Sequence, residues 1–102
     1  MTQPAVIMRV RFKSALTLDQ VREIAEQRAP EFEALGGLQQ KYYLQDTVSG
    51  EYAGLYVWDS AKDLAAFRDS ELQASIGKAY QAEGEPDIEV YRVIKALRND
   101  GR

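Results

Sequence analysis

The chain reads as an α+β domain of the ferredoxin-like kind. Its elements follow the order strand, helix, strand, strand, helix, strand (βαββαβ), which gives a four-stranded antiparallel sheet with both helices on one face. Three observations predict this. Alternating strand-like runs stand at both ends of the chain, Ala5–Phe12 and Asp87–Leu97. Two capping-box patterns, Thr17 with Gln20 and Ser60 with Asp63, each open a stretch with apolar residues at helical spacing. Between them lie two more strand-like runs, Leu38–Gln45 and Glu51–Trp58, joined by the turn-forming segment Asp46–Gly50.

In the first strand Val6, Met8, Val10 and Phe12 share one face, and Ala5, Ile7, Arg9 and Arg11 share the other. The first helix begins after Thr17 and carries Leu18, Val21, Ile24, Ala25, Arg28, Phe32 and Leu35 on its inner stripe. Pro30 lacks an N–H and crowds the preceding turn, so a kink or break is expected near Arg28–Ala29. Gly36 and Gly37 end the element.

In the hairpin's second strand Ala53, Leu55 and Val57 alternate with Tyr52, Gly54, Tyr56 and Trp58. The aliphatic set is expected to pack on the helices, leaving the aromatic set on the far side of the sheet. The first strand of the hairpin puts Leu38, Gln40, Tyr42 and Leu44 on one face, assigned to the helices, and Gln39, Lys41, Tyr43 and Gln45 on the other. A joint is expected at Asp69–Ser70, then a second helical piece to about Tyr80. Arg92 interrupts the apolar face of the last strand, so an edge position or bulge is expected there. Residues 98–102 are expected to form a mobile polar tail of the single domain 1–102.

At 102 residues, 45% of them hydrophobic and 28% charged, the chain has the composition of one globular domain. It contains no histidine and no cysteine. That removes the commonest general base, the soft-metal ligands and every Cys or Ser–His nucleophile. Haem held by His or Cys is excluded with them. The net charge of −3 and the lack of a basic patch argue against nucleic-acid binding. No apolar run is long enough for a membrane span, and no signal-peptide pattern is visible, so a cytoplasmic protein is expected. No metal site is expected. Asp59 and Asp63 suit a helix N-terminus better than a metal site.

The run Gly54-Leu-Tyr-Val-Trp58, followed at once by an acidic-rich helix, resembles the YdhR-like monooxygenases. So do Gly37-Leu before the Lys41-aromatic strand, Pro30 inside the first helix, and Tyr91 through Leu97 as a closing strand. That family belongs to the dimeric α+β barrels, alongside the antibiotic-biosynthesis monooxygenases. The resemblance implies two sheets packed face to face across a two-fold axis, with a pocket between each sheet and its helices or partner. It also implies oxidation of a small aromatic substrate without metal, flavin or haem. Histidine-using members of the superfamily have no counterpart here.

The candidate residues follow. Tyr56 and Trp58 offer flat surfaces for a planar aromatic, with Gly54 as a pocket floor; dimer core is the competing reading for these rings and for Tyr52. Arg9, Arg11 and Lys41 are expected on the same face as the rings. Interface salt bridges with Glu51 or Glu89 compete there with stabilisation of a substrate anion, for which mid-strand Arg9 is the catalytic candidate. Lys41, Tyr43 and Tyr91 complete the substrate-binding set. No tyrosine is assigned as base, because its ordinary pKa near ~10 makes it a weak one at neutral pH. Exposed aromatics of this extent predict a homodimer through the sheet face. The function expected is oxidation of a small phenolic or quinol-type compound with dioxygen. A non-catalytic small-molecule-binding dimer, or an isomerase or cyclase on the same barrel, stands as the alternative.

Overall fold

A computed structural model describes residues 4–98, so the expected tail at 99–102 lies outside the described residues. The elements are β1 (Val6–Phe12), α1 (Leu18–Glu33), β2 (Leu38–Gln45), β3 (Tyr52–Trp58), α2 (Ala61–Arg68), α3 (Glu71–Ala74), α4 (Ile76–Ala79) and β4 (Asp87–Arg92). The strands form one antiparallel sheet in the order β2-β3-β1-β4. The expected ferredoxin-like α+β arrangement is what the chain adopts.

Local chemistry sets the element ends. The Thr17 hydroxyl accepts from the Gln20 N–H, and the Gln20 side chain accepts from the Thr17 N–H, closing the capping box. At α2 only half of the pattern forms. Ser60 accepts from the Asp63 N–H but donates its own hydroxyl to the Asp63 carboxylate. Ser70 caps α3 by accepting from Gln73, so the joint falls where it was expected. Of the kink or break expected near Arg28–Ala29, the break is corrected: helix α1 runs continuously through Pro30. Pro30 lies in the last turn and is exposed, so the carbonyl it leaves unbonded can meet water.

The face assignment of the sheet is corrected more deeply. Val10 pairs with Gly54, Met8 with Tyr56 and Phe12 with Tyr52. Directly opposed residues share a face, so the aromatic set lies with Met8, Val10 and Phe12 beneath the helices. Tyr52, Tyr56 and Trp58 are all buried in the core with Phe32, Leu64 and Phe67. The aliphatic set, Ala53, Leu55 and Val57, faces outward with Ile7, Arg9 and Arg11. Two forces favour this side. Three large rings bury more apolar area than Ala, Leu and Val. The opposite choice would also drag two arginines under the helical layer.

Strand β2 is corrected in the same sense. A register shift between Leu38 and Gln40 returns Leu38 to the helical side, opposite Trp58. Lys41, Tyr43 and Gln45 then fall on the helical side, opposite Tyr56, Gly54 and Tyr52. Tyr42 and Leu44 point out. Strand β4 is an edge, as Arg92 suggested, but it ends at Arg92 instead of Leu97. Its partner β1 begins at Val6, which pairs with Arg92, and beyond that point the Val93 N–H donates to the Ala5 carbonyl.

Candidate active site

A cavity of about 450 Å³ lies between the sheet and α1. Gly54, Tyr56, Lys41 and Tyr43 form its floor, on β3 and β2. Val21, Ala25 and Ala29 form its roof on α1, and Phe12 and Tyr80 close one end. The space exists because small side chains oppose each other, two alanines on the helix against a glycine on the strand. A Cβ at Gly54 would lie 3.0 Å from Cε1 of Tyr56, so the glycine also lets that ring lie flat over the strand. Exposed Leu18, Arg22, Glu26 and Tyr43 mark the mouth.

Lys41 is the chemically distinctive member. Its Nζ lies 3.4 Å from the centre of the Phe32 ring, 4.4 Å from Tyr43 and 4.6 Å from Tyr56. No carboxylate pairs with it among the described residues. Burial, and secondarily the Arg28 guanidinium, push its pKa down to about 7. The three ring faces oppose that shift, since each attracts the ammonium form. Both forms are therefore available near neutral pH.

The tyrosines move the other way. Burial raises Tyr56 well above the ordinary phenol range and pushes Tyr80 up to about 12; Tyr43 is raised too. All three stay protonated as donors. The Tyr52 hydroxyl donates to the Leu16 carbonyl at 2.8 Å and is structural.

Of the expected site residues, the structure brings Tyr56, Gly54, Tyr43 and Lys41 to one cavity. Trp58 packs on Phe67 at 5.3 Å, and its Nε1 is buried without a partner among the described residues. It belongs to the core. Arg9 stands on the outer face, paired with Glu89 at 2.6 Å and Asp87 at 3.8 Å. Tyr91 shares that face and donates to Glu89. Arg11 is tied there to Glu51 and Asp46. Neither Arg9 nor Tyr91 lines the cavity, because each sits at the opposite parity from the buried rings.

Arg28 was absent from the expected set. Its Nη2 donates to Ser75 at 2.6 Å, and its guanidinium carbon lies 5.7 Å from the Phe32 ring and 5.9 Å from Tyr80. Nη1 is buried without a partner among the described residues, as is the Tyr80 hydroxyl. The signal was a charged residue within the apolar stripe of α1. Among the described residues no group of acidic side chains is placed to hold a metal, and no helix is long and apolar enough to cross a membrane.

No protein-family model matches the chain, and no curated protein matches it in sequence. Solved structures do. SnoaB, a cofactor-independent oxygenase from Streptomyces nogalater, superposes with a TM-score of 0.72 at 13% identity, covering 95% of this chain and 100% of that one. The monooxygenase ActVA-Orf6 of Streptomyces coelicolor, solved with Nanaomycin D, gives 0.72 at 16% identity over 95% and 94%. NE2512 of Nitrosomonas europaea, a protein of unknown function, gives 0.72 at 12% over 97% and 98%. The chain thus has the fold of antibiotic-biosynthesis-monooxygenase-like proteins. At these identities the likeness speaks for the fold alone.

Proposed function

We propose that this chain is a YdhR-like, cofactor-independent monooxygenase that oxidises a small planar phenol, quinol or anthrone-type compound with dioxygen inside the α1 cavity. The observation that carries the reading is Lys41, an amine with no carboxylate partner among the described residues, on the wall of a ring-lined cavity. It takes the role the sequence offered to Arg9. As a neutral amine it accepts the substrate's acidic proton; as the resulting ammonium it holds the anion. Tyr56 and Tyr43 supply flat walls, and Gly54 the clearance. The anion is electron-rich enough to pass an electron to oxygen in a dry site. For an anthrone-type substrate, carbon–oxygen bond formation and loss of water then convert its CH₂ group plus O₂ to a carbonyl plus H₂O. For a quinol, transfer of two electrons and two protons to O₂ gives the quinone plus H₂O₂; neither balance needs an external reductant.

Two further parts of the reading come from the fold and the outer face. SnoaB and ActVA-Orf6 share this fold and are an oxygenase and a monooxygenase. Ile7, Tyr42, Leu44, Leu55 and Val57 make an apolar outer surface, flanked by the Arg9 and Arg11 ion pairs, that suits a two-fold sheet-to-sheet homodimer. A cytoplasmic location fits the same reading. A second reading is favoured by the rings around Nζ. If they keep Lys41 charged, the cavity binds an aromatic anion without turning it over.

Oxygen uptake with a panel of quinols and anthrones tests this. The wild type is expected to consume oxygen, with loss of at least about 10²-fold in Lys41→Met, the size of a general-base contribution. Uptake indifferent to that change removes Lys41 from the mechanism. Binding without uptake selects the second reading.

A further inference from the structure

Lys41 carries more chemistry than an anion-holding role uses. Its amine faces a cavity large enough for a two-ring compound and meets only ring faces there. The charged groups near it are few. Arg28 on α1 is a second cation that acts on it, and Glu33 shares with Lys41 and Tyr43 the lining of an adjoining cleft without an ion pair to the lysine among the described residues. Arg22 and Glu26 lie at the exposed mouth, and Tyr43, Tyr56 and Tyr80 stay protonated. A desolvated lysine beside another cation is the arrangement that activates an amine as a nucleophile.

We propose that Nζ of Lys41 forms an imine with an aldehyde or ketone group of a planar aromatic compound bound in this cavity. The proposal rests on the reading that the cavity admits such compounds, and is independent of the oxygenation step. Nζ attacks the carbonyl carbon, and its proton passes to the oxygen to give a carbinolamine. Loss of that hydroxyl as water forms the C=N bond, so that amine plus carbonyl yields imine plus water. No oxidant or reductant is consumed.

The surrounding rings assist the product. A protonated imine is a cation at the position the ammonium held, and Phe32, Tyr43 and Tyr56 attract it in the same way. The cage favours the ammonium over the free amine before the reaction and attracts the iminium after it, so the cation–π contacts are kept across the step. The other lysines, Lys13, Lys62, Lys78 and Lys95, lie away from the cavity wall and are exposed.

The experiment uses the full chain with 2-naphthaldehyde and sodium borohydride at about pH 7, followed by intact mass and peptide mapping. In parallel, binding of 2-naphthol, which has the ring system but no carbonyl, is measured calorimetrically. A single adduct on Lys41 is expected, formed about tenfold or more faster than at any other lysine, because the cavity holds the carbonyl beside this amine. Its labelling rate should rise through about pH 7. Lys41→Arg should lose the adduct, and 2-naphthol binding to the unaltered chain reports separately on whether the cavity admits the ring system. Labelling spread over the exposed lysines while 2-naphthol still binds overturns the imine and leaves the cavity standing. Failure of both labelling and binding overturns the cavity reading together with the imine.

Discussion

Lys41 on β2 and Tyr56 on β3 stand directly opposite each other on the helical side of the sheet, with Nζ 4.6 Å from the centre of the tyrosine ring. The pairing brings a charge-capable group and a buried ring to one wall of the same cavity. It follows from one register shift at the start of β2. Without that shift the lysine would point outward.

Burial of Lys41 makes stability depend on pH. Its folded pKa of about 7 lies below the value it has when unfolded. Between those values the unfolded chain binds the extra proton, so stability rises with pH across that window and the full penalty applies below about 7. Lys41→Met is expected to stabilise the fold at pH 6 by about 1 kcal/mol after the lost cation–π contacts are set against it, or about 4–8 °C in Tm. The gain should shrink as pH rises towards 10. Thermal unfolding at several pH values measures this; a loss of stability at pH 6 would show that the rings hold the charge more strongly than burial opposes it.

Gly54 holds the cavity open. An alanine there would bring Cβ to 3.0 Å from the Tyr56 ring, which lies over the glycine. Gly54→Ala is expected to cost about 1–3 kcal/mol, as overpacking does, and to swing the ring into the cavity. Denaturant unfolding and naphthol binding should both weaken; unchanged binding would place the ligand elsewhere.

Two tyrosine hydroxyls should behave oppositely. Tyr80 has a buried hydroxyl with no partner among the described residues, so Tyr80→Phe should leave stability unchanged or raise it by up to about 1 kcal/mol. Tyr52 donates to Leu16, so Tyr52→Phe should cost about 1 kcal/mol. Equal losses in both variants would mean that Tyr80 has a partner.

The hairpin turn depends on Asp46. Its Oδ1 accepts from the backbone N–H groups of Ser49 and Val48, at 2.9 and 2.8 Å, and its other oxygen meets Arg11 at 3.0 Å. Those two amides, more than Arg11, hold its pKa down to about 2. A lowered carboxylate pKa stabilises the fold above the unfolded value, and that stabilisation is lost as pH falls towards about 2. Asp46→Ala should speed hydrogen exchange at Ser49 and Gly50 at pH 6, and Asp46→Asn, which keeps an acceptor oxygen, should do so less. Equal exchange in all three chains would remove the turn from this role.

The outer face is expected to make a dimer at micromolar concentration. Leu55→Asp, a charge placed between Arg9 and Tyr42 on paired strands, should give a monomer by sedimentation. A wild-type monomer would leave that apolar surface without its proposed partner.

Element order, both helix caps, the α2–α3 joint and the turn were legible because each depends on neighbours a few residues apart. Which face the rings take was not read correctly, yet the sequence held the deciding residues. Arg9 and Arg11 alternate with Met8 and Val10, and two arginines cannot lie under a helical layer. The phase of β2 was hidden by the shift at Leu38–Gln40, which no local pattern marks. The cavity itself was illegible. It arises where Ala25, Ala29 and Gly54 oppose one another across elements distant in sequence, and only the packed backbone sets their separation.

The most direct measurement is the titration of the Lys41 Cε resonance by NMR, free and with 1-naphthol. Lys41 is expected to titrate near pH 7 alone, and at a higher pH when a phenolate sits beside it. Titration in the ordinary lysine range, indifferent to the ligand, would contradict an unpaired amine serving this cavity.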